Sequence, residues 1–207
     1  TASKLRGESG TKVLVELSTE SGEIREVDLE RRSVDLRPVR TKRLRDDSHT
    51  IGYLRITQFS ESVPKKVEEA LQELKEKEVE GLILDLRNNS GGLVSSGIAV
   101  ADSLLSEKPV VETKDRNGIK DAIISQKETS FDGPMVTLVN KGTASASEIL
   151  AGSLQDNERS ILMGEQTYGK GLIQSLKSLG EDSGIAITVA SYLTPKGNNI
   201  QGQGMTP

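Results

Sequence analysis

Ser145 and Lys170 are the two side chains whose types and settings suit covalent catalysis. Ser145 follows a run of small residues, from Gly142 to Ala144, and precedes an apolar-periodic segment that predicts a helix. A serine at a helix entrance can act as a nucleophile, because the N-terminal N–H groups of the helix favour negative charge near it. Such a nucleophile also needs a base that takes its proton.

Lysine is the base that this sequence offers. The only histidine, His49, lies in the charged segment DDSHT, where we expect a surface residue, so a Ser-His-Asp triad would lack its central member. Lys170 lies between two glycines that leave its amine unobstructed. A lysine acts as a base only when it is neutral, and burial against Leu172 and Ile173 would favour that form. Gln174 is a neutral amide that could orient the amine.

A pair of glycines could complete such a site. Gly91 and Gly92 follow the apolar run Leu82 to Leu86, which predicts a buried parallel strand. Glycines at the carboxyl end of such a strand can turn their N–H groups into a crevice. Together with the N–H of Ala146, they would form an oxyanion hole for acyl transfer.

Each of these features also has a purely structural interpretation. Ser145 or Ser147 could be only the N-cap of a helix, with Glu148 as its capping-box partner. Lys170 could be a loop lysine that faces water, and the glycine pair could be only a helix-entry turn. We expect Glu148 and Glu165 to be structural or solvated, because a carboxylate that contacts the Lys170 amine would favour its charged form.

Composition excludes several other classes of function. The chain has 207 residues with 34% apolar and 28% charged residues, which is enough for a substantial core. A net charge of −4 and 2% aromatic residues argue against nucleic acid as the main partner. The absence of cysteine removes disulfides and thiolate chemistry, and no apolar run approaches the ~20 residues of a membrane span. The chain starts at Thr1 rather than Met, so we expect an excised part of a longer protein.

Hydrophobic periodicity predicts three segments. Residues 1–36 predict two or three β-strands, which are too few for an independent core. Residues 37–50 are polar and charged and predict a solvated linker. Residues 51–207 predict an α/β domain with a largely parallel sheet, because strands and helices alternate. The expected strands are Ile51–Phe59, Leu82–Leu86, Val110–Glu112, Met135–Val139, Ile161–Met163 and Ile185–Tyr192, and the expected helices are 60–81, Leu93–Leu105 and Ala144–Gln155.

Four segments together resemble a known family. They are LDLRNNSGGL at 84–93, VNKGTASASEILAG at 139–152, GEQTYGKGLIQ at 164–174 and YLTPKGNNIQGQGMTP at 192–207. They are similar to the carboxy-terminal processing (tail-specific) serine peptidases, and their residues are close to those of the bacterial, cyanobacterial and chloroplast branch. The resemblance covers residues 50–207 almost continuously.

This resemblance implies a role for each candidate residue. It makes Ser145 the nucleophile, Lys170 the general base and Gln174 the residue that orients the base. It implies an oxyanion hole built from the glycine pair, with Gly91 as first choice, and from Ala146. It also implies a crotonase-like α/β core, no metal and no cofactor.

The resemblance further implies the kind of domain to which residues 1–36 belong and the kind of partner that the protein binds. Residues 1–36 look like the closing part of a PDZ domain, a module that binds a substrate C-terminus as an added strand. The front half of that domain, with its carboxylate-binding loop, is missing from the sequence. The implied partner is a protein with a free C-terminal tail in the periplasm or thylakoid lumen. The precursor of a photosystem II reaction-centre protein is one candidate substrate, and general tail processing is the alternative.

Three other functions are alternatives to this one. The segment GEQTYGKG at 164–171 nearly fits a phosphate-binding loop, but Gly171 stands where the magnesium-binding hydroxyl is needed. Two S-x-x-K matches, Ser9 to Lys12 and Ser62 to Lys65, lack the partner motifs of penicillin-binding acylases. A catalytically inactive peptide-binding fragment remains the main alternative.

Overall fold

The computed structural model describes residues 2–32, 37–45, 48–126, 128–180 and 183–207. The chain divides into two compact units, Thr1–Arg37 and Pro38–Pro207, which we call the N-terminal unit and the core unit. Residues 33–36 of the expected first domain and Asp46 and Asp47 of the expected linker lie outside the described residues. No helix in the described part of the chain is long and apolar enough to span a bilayer.

The N-terminal unit contains a β-hairpin. A short helix α1 (Ala2–Leu5) precedes the antiparallel strands β1 (Lys12–Ser18) and β2 (Ile24–Glu30). The Arg31 guanidinium donates hydrogen bonds to the carbonyl oxygens of Leu5 in α1 and Lys12 in β1 and so ties the helix to the hairpin. The strands expected in this segment are therefore confirmed, and their origin in a PDZ domain stays a prediction.

The core unit alternates strands and helices along the chain. Its strands are β3 (Val39–Arg45), β4 (Thr50–Ile56), β5 (Gly81–Asp85), β6 (Pro109–Asp115), β7 (Gly118–Ile124), β8 (Met135–Val139), β9 (Ile161–Gly164), β10 (Leu172–Ser178) and β11 (Gly184–Leu193). Its helices are α2 (Val63–Glu76), α3 (Val94–Leu104) and α4 (Ala146–Asp156).

The first sheet has five strands in the order β3-β4-β5-β8-β9. The pairs β4–β5, β5–β8 and β8–β9 are parallel, and β3 pairs antiparallel with β4 at the edge. The apolar run that predicted a buried parallel strand is β5, the middle strand of this sheet. The carboxyl ends of β5 and β8 therefore lie side by side, and the glycine pair and Ser145 follow these two ends.

Apolar side chains of the helices and of one sheet face form the core. On α2 the buried residues are Val63, Val67, Ala70, Leu71 and Leu74, the face that the periodicity predicted. They pack with Leu54 and Leu84 of the sheet and with apolar residues of α3 and α4. Burial of each leucine stabilises the fold by roughly 1.5–3 kcal/mol. This packing therefore fixes the carboxyl ends of the strands that carry the candidate site.

The prediction of a linker at residues 37–50 was wrong. Residues 39–45 form β3, which pairs with β4 along its whole length. Val39 and Thr41 are half-buried, whereas Arg40, Lys42 and Arg43 are exposed. An edge strand tolerates such charges because they discourage pairing with another chain. The high charge therefore reflects an edge position rather than a linker.

A second sheet departs from the expected largely parallel arrangement. Its four strands lie in the order β10-β11-β6-β7, and all of their pairings are antiparallel. Strands β7 and β10 were not expected, and β6 is longer than the expected Val110–Glu112. Both missed strands are built by pairing with a neighbour rather than by an apolar pattern of their own. The core unit is thus a mixed α/β structure.

Candidate active site

Ser145 lies at a strained turn between β8 and α4. We call residues 140–145 the nucleophile turn. Ser145 has φ of 58° and ψ of −120°, a conformation that side-chain-bearing residues rarely adopt and that costs on the order of 1–3 kcal/mol. The turn is held against the end of β5, because the Thr143 hydroxyl donates to the Leu86 carbonyl oxygen at 2.9 Å. Strain of this kind typically marks a functional residue at a strand-to-helix turn.

Ser147 has a different role from Ser145. Its side chain is fully buried, and its hydroxyl donates to the Asn89 carbonyl oxygen at 2.9 Å. This hydrogen bond fastens α4 to the loop after β5. Ser145, by contrast, is only half-buried and lies at the start of the helix. Of the two serines, Ser147 is therefore the one that is committed to a structural hydrogen bond.

The loop after β5, residues 88–92, which we call the glycine loop, lies directly against the nucleophile turn. A Cβ added to Gly91 would lie 2.9 Å from the Ser145 Cβ and 3.1 Å from the Ala146 nitrogen. Gly91 also has φ of +99°, so both the space and the backbone require glycine. Asn89 is buried, and its side chain donates to the Ile56 carbonyl oxygen at 3.0 Å.

Gly91 and Gly92 differ in how their N–H groups are used. The Gly91 N–H, the first-choice oxyanion donor, is directed to the side-chain oxygen of Asn89 at 3.0 Å. Within the described residues, no acceptor receives the N–H of Gly92 or that of Ala146. Gly92 has φ of +136°, and a Cβ there would lie 2.1 Å from the Phe59 carbonyl oxygen. The N–H groups of Gly92 and Ala146, rather than that of Gly91, are therefore available to donate to a bound ligand.

A buried glutamate joins the serine and lysine segments. Glu148 has 0% exposure. Its Oε2 accepts the backbone N–H groups of Ser145 and Lys170, both at 2.8 Å. Its Oε1 accepts the Thr167 hydroxyl and the Gly169 N–H, both at 2.6 Å. All four partners are donors, which is the set that an ionised carboxylate satisfies.

This shared carboxylate places the two candidate catalytic residues next to each other. Because both amide nitrogens lie 2.8 Å from the same oxygen, they are within twice that distance of each other. Glu148 accepts a hydrogen bond from the backbone N–H of Lys170, and its described hydrogen bonds do not involve the side-chain amine of Lys170. The capping-box interpretation is borne out, since Glu148 accepts the N-cap N–H of Ser145 and the Ser145 side chain faces the backbone N–H of Glu148. The same side chain also fixes the position of the lysine segment.

The expected burial of Lys170 was wrong. Its side chain is exposed, and Leu172 is 36% exposed. We call residues 167–171 the lysine loop. Its Gly169 and Lys170 N–H groups donate to Glu148, whereas the Lys170 side chain is exposed. Gln174 is exposed on β10, and the described hydrogen bonds include none between Gln174 and Lys170. Its role in orienting the base stays a prediction.

The end of the chain holds the lysine loop from its other side. We call residues 200–205 the clasp segment. The Thr167 N–H donates to the Met205 carbonyl oxygen at 3.0 Å, and the Met205 N–H donates to the Thr167 hydroxyl at 2.7 Å. The Gly171 N–H donates to the Gln201 side chain at 2.9 Å. The lysine loop is therefore held between Glu148 and the clasp segment.

A second buried carboxylate lies at the end of β5. Asp85 accepts the Tyr53 hydroxyl at 2.5 Å and the Arg87 guanidinium at 2.8 and 2.9 Å. Burial by itself would raise the pKa of Asp85, but the hydrogen bonds from Arg87 and Tyr53 and the Arg87 charge lower it to about 2. Burial and the neighbouring Asp85 raise the pKa of Tyr53. This cluster fixes the strand end from which the glycine loop departs.

The described residues contain no group of three or more His, Asp or Glu side chains placed to hold a metal ion. His49 is exposed and lies 2.9 Å from Glu80 at the start of β4.

Comparison with known proteins identifies the family. The sequence pattern of peptidase family S41 matches residues 50–207. The chain belongs to this family. A carboxyl-terminal-processing protease of Synechocystis sp. is 46% identical over 208 residues, which cover 100% of this chain and 49% of that protein. The carboxy-terminal processing protease CtpA of Bacillus subtilis is 37% identical over 204 residues, which cover 98% of this chain and 43% of that protein.

Solved structures and chloroplast relatives agree with this S41 assignment. A photosystem II D1 C-terminal processing protease has a TM-score of 0.79 and 37% identity, over 97% of this chain and 55% of that one. A chloroplastic C-terminal processing peptidase of Tetradesmus obliquus is 45% identical over 159 residues, or 76% of this chain and 34% of that protein. The chain spans about half the length of the curated relatives that it matches over its whole length. The resemblance drawn from four sequence segments is thus confirmed.

Sequence reasoning missed one residue of the candidate site, Asn89, and the contacts that the structural residue Glu148 makes with the lysine loop. Glu148 was expected to be structural or solvated, and its link to the lysine loop depends on contacts between segments far apart in sequence. Asn89 was not singled out, although it follows the buried strand directly and precedes the glycine pair. A polar residue that is flanked by a buried strand and a glycine pair is the signal that could have indicated it.

Proposed function

We propose that this S41 chain forms the catalytic core of a serine endopeptidase that removes C-terminal tails from proteins through an acyl-enzyme. One observation carries the proposal. Ser145 stands in a strained turn at a helix entrance, and its N–H shares one Glu148 oxygen with the N–H of Lys170. Nucleophile and base are thereby brought together by backbone geometry before any substrate binds.

The reaction uses the residues in the following roles. Neutral Lys170 takes the proton from the Ser145 hydroxyl as its oxygen attacks the scissile carbonyl carbon. The N–H groups of Gly92 and Ala146 stabilise the oxyanion, because the Gly91 N–H is already committed to Asn89. The amine leaves with a proton from Lys170, and a water activated by Lys170 then hydrolyses the acyl-enzyme. Lys170 is exposed in the free protein, so a bound substrate supplies the desolvation that favours its neutral form.

The relatives support a choice of substrate class. Those that match the whole chain are named carboxyl-terminal-processing proteases, and one solved relative is named for the photosystem II D1 protein. We propose protein tails with a free C-terminus as substrates and the periplasm or thylakoid lumen as the compartment. A crotonase-like core and a PDZ origin for the N-terminal unit belong to the same proposal.

Cleavage of an unstructured peptide with a free apolar C-terminus tests the mechanism. We expect activity that rises from about pH 6 to about pH 10, as a lysine base requires. Ser145→Ala and Lys170→Ala should each lower kcat/KM by at least ~10³-fold. Lys141→Ala is the matched control, because Lys141 is an exposed lysine in the nucleophile turn, and its rate should stay within about twofold of the parent chain.

Two outcomes would contradict the proposal. Cleavage that survives Ser145→Ala would exclude this serine as the nucleophile. A folded parent chain that binds the peptide without cutting it would favour the inactive peptide-binding fragment. The second result would require the same assay on a chain of the relatives' full length.

A further inference from the structure

Strand β10 (Leu172–Ser178) has an open edge beside the candidate site. It is the terminal strand of the four-stranded sheet, with β11 on one side and no described strand on the other. It begins two residues after Lys170, a separation of at most ~7 Å along an extended chain. The open edge therefore starts next to the proposed base.

The direction of the backbone groups on β10 follows from its two ends. The Gly171 carbonyl accepts the Tyr192 N–H at 2.7 Å, and the Leu179 N–H donates to the Ser183 carbonyl at 2.9 Å. Both contacts are made with the β11 side. Because backbone groups alternate along a strand, the odd-numbered residues between these ends face β11. The N–H and C=O groups of Leu172, Gln174, Leu176 and Ser178 then face the open edge.

The register irregularity does not disturb this alternation. Ile173 pairs with Ala190 and Gln174 pairs with Thr188, so the extra residue, Val189, lies on β11. Strand β10 itself runs without an interruption. Its outward-facing backbone groups therefore form one regular row.

The β10 edge lacks the charges that protect another edge of the core unit. Strand β3 carries Arg40, Lys42, Arg43 and Arg45 within seven residues. Strand β10, LIQSLKS, carries only Lys177 in the same length. Edge charges discourage pairing with another chain, and their near absence leaves β10 open to it. An edge of this kind next to a peptidase site suits strand addition by an extended peptide.

We propose that an extended segment of the substrate adds as a further strand along the open edge of β10. This inference rests on the proposed peptidase function and names how that site holds its substrate. A strand added there would lie about 4.8 Å from β10 and would carry its backbone past the lysine loop. Only a segment without its own secondary structure can pair in this way, which selects unfolded tails over folded domains. The recognised feature is the peptide backbone, so the edge accepts many sequences.

Amide hydrogen exchange on the Ser145→Ala variant, measured by NMR, tests this inference without requiring catalysis. A short unstructured peptide with a free apolar C-terminus, at saturating concentration, is the probe. We expect the N–H groups of Leu172, Gln174 and Leu176 to exchange at least ~10-fold more slowly when the peptide is bound. The N–H groups of Ser175 and Lys177 already face β11 and should change little. Protection without this alternation, or protection confined to another strand, would overturn the inference.

N-methylated peptides provide a second test on the active chain. Methylation of one substrate N–H that faces β10 should lower kcat/KM by at least ~10-fold, and methylation of the next residue should have little effect. Equal effects at both positions would contradict strand addition. Cleavage of the unmodified peptide with no protection of β10 would leave the peptidase proposal intact and reject the docking edge. Protection of β10 without cleavage would support the docking edge and reject the peptidase proposal.

Discussion

The candidate site has two halves that are built in different ways. The serine half comprises the nucleophile turn, α4 and the glycine loop, and the lysine half comprises the lysine loop and β10. The serine half lies on the core: Ala146 and Asn89 are buried, and the Ser147 hydroxyl fastens α4 to the glycine loop. The lysine half lies at the periphery, with Lys170 exposed and β10 exposed or half-buried where its side chains are described. Core packing together with buried hydrogen bonds therefore holds Ser145, whereas the backbone of Lys170 is held by hydrogen bonds at the periphery.

Glu148 is the point where the two halves meet. It belongs to α4, and its side chain is buried with the serine half. Three of its four hydrogen-bond partners belong to residues 167–170 of the lysine half. A change at Glu148 should therefore affect both halves, and changes within one half should affect mainly that half.

Glu148→Gln should have the largest effect. The amide supplies one acceptor oxygen in place of two, so two of the buried donors would face an NH2 group instead. We expect the free energy of unfolding to fall by about 3 kcal/mol or more and kcat/KM to fall by at least ~100-fold. Urea denaturation and the peptide assay measure the two effects.

Glu165→Gln is the matched control for this change, because Glu165 is exposed and adjacent to the lysine loop. Its free energy of unfolding should stay within about 0.5 kcal/mol of the parent chain. If both glutamine variants behave alike, Glu148 does not join the halves.

Asp85→Asn should have an intermediate effect that is confined to the serine half and depends on pH. The pKa of Asp85 is about 2 in the folded chain against an ordinary 3.8, so its interactions stabilise the fold by about 2 kcal/mol above pH 4. This stabilisation is lost as the pH falls from about 4 to about 2. Urea denaturation at several pH values should show a gap between variant and parent that closes over this range. A gap that is the same at pH 7 and pH 2 would contradict the assignment.

Gln201→Ala should have the smallest effect, confined to the lysine half. It removes the side chain that accepts the Gly171 N–H at the surface. We expect a loss of at most about 1 kcal/mol in the free energy of unfolding and a fall in kcat of a few-fold with KM little changed. Lys196→Ala, another exposed residue near the end of the chain, is the control. A KM effect larger than the kcat effect would indicate that Gln201 binds substrate instead.

The sequence predicted the serine half better than the lysine half for a physical reason. Strand β8 was predicted with its observed bounds, and β5 and α4 to within two residues at each end, because buried elements carry hydrophobic periodicity. Strand β10 and the exposure of Lys170 were missed. An exposed strand that is held by one neighbour has no such periodicity, and its presence depends on β11.

The sequence by itself determined helices α2, α3 and α4, the parallel strands, the small-residue turn around Ser145 and the family to which the chain belongs. These are local patterns, so one stretch of residues suffices to specify each. Only the tertiary structure decided that Glu148 holds Ser145 and Lys170 on one oxygen, that Gly91 donates to Asn89 and that β3 is a strand. The link from Glu148 to Lys170 joins groups far apart along the chain. The other two depend on a loop conformation and on an edge pairing, which are decided only when the sheets and helices pack.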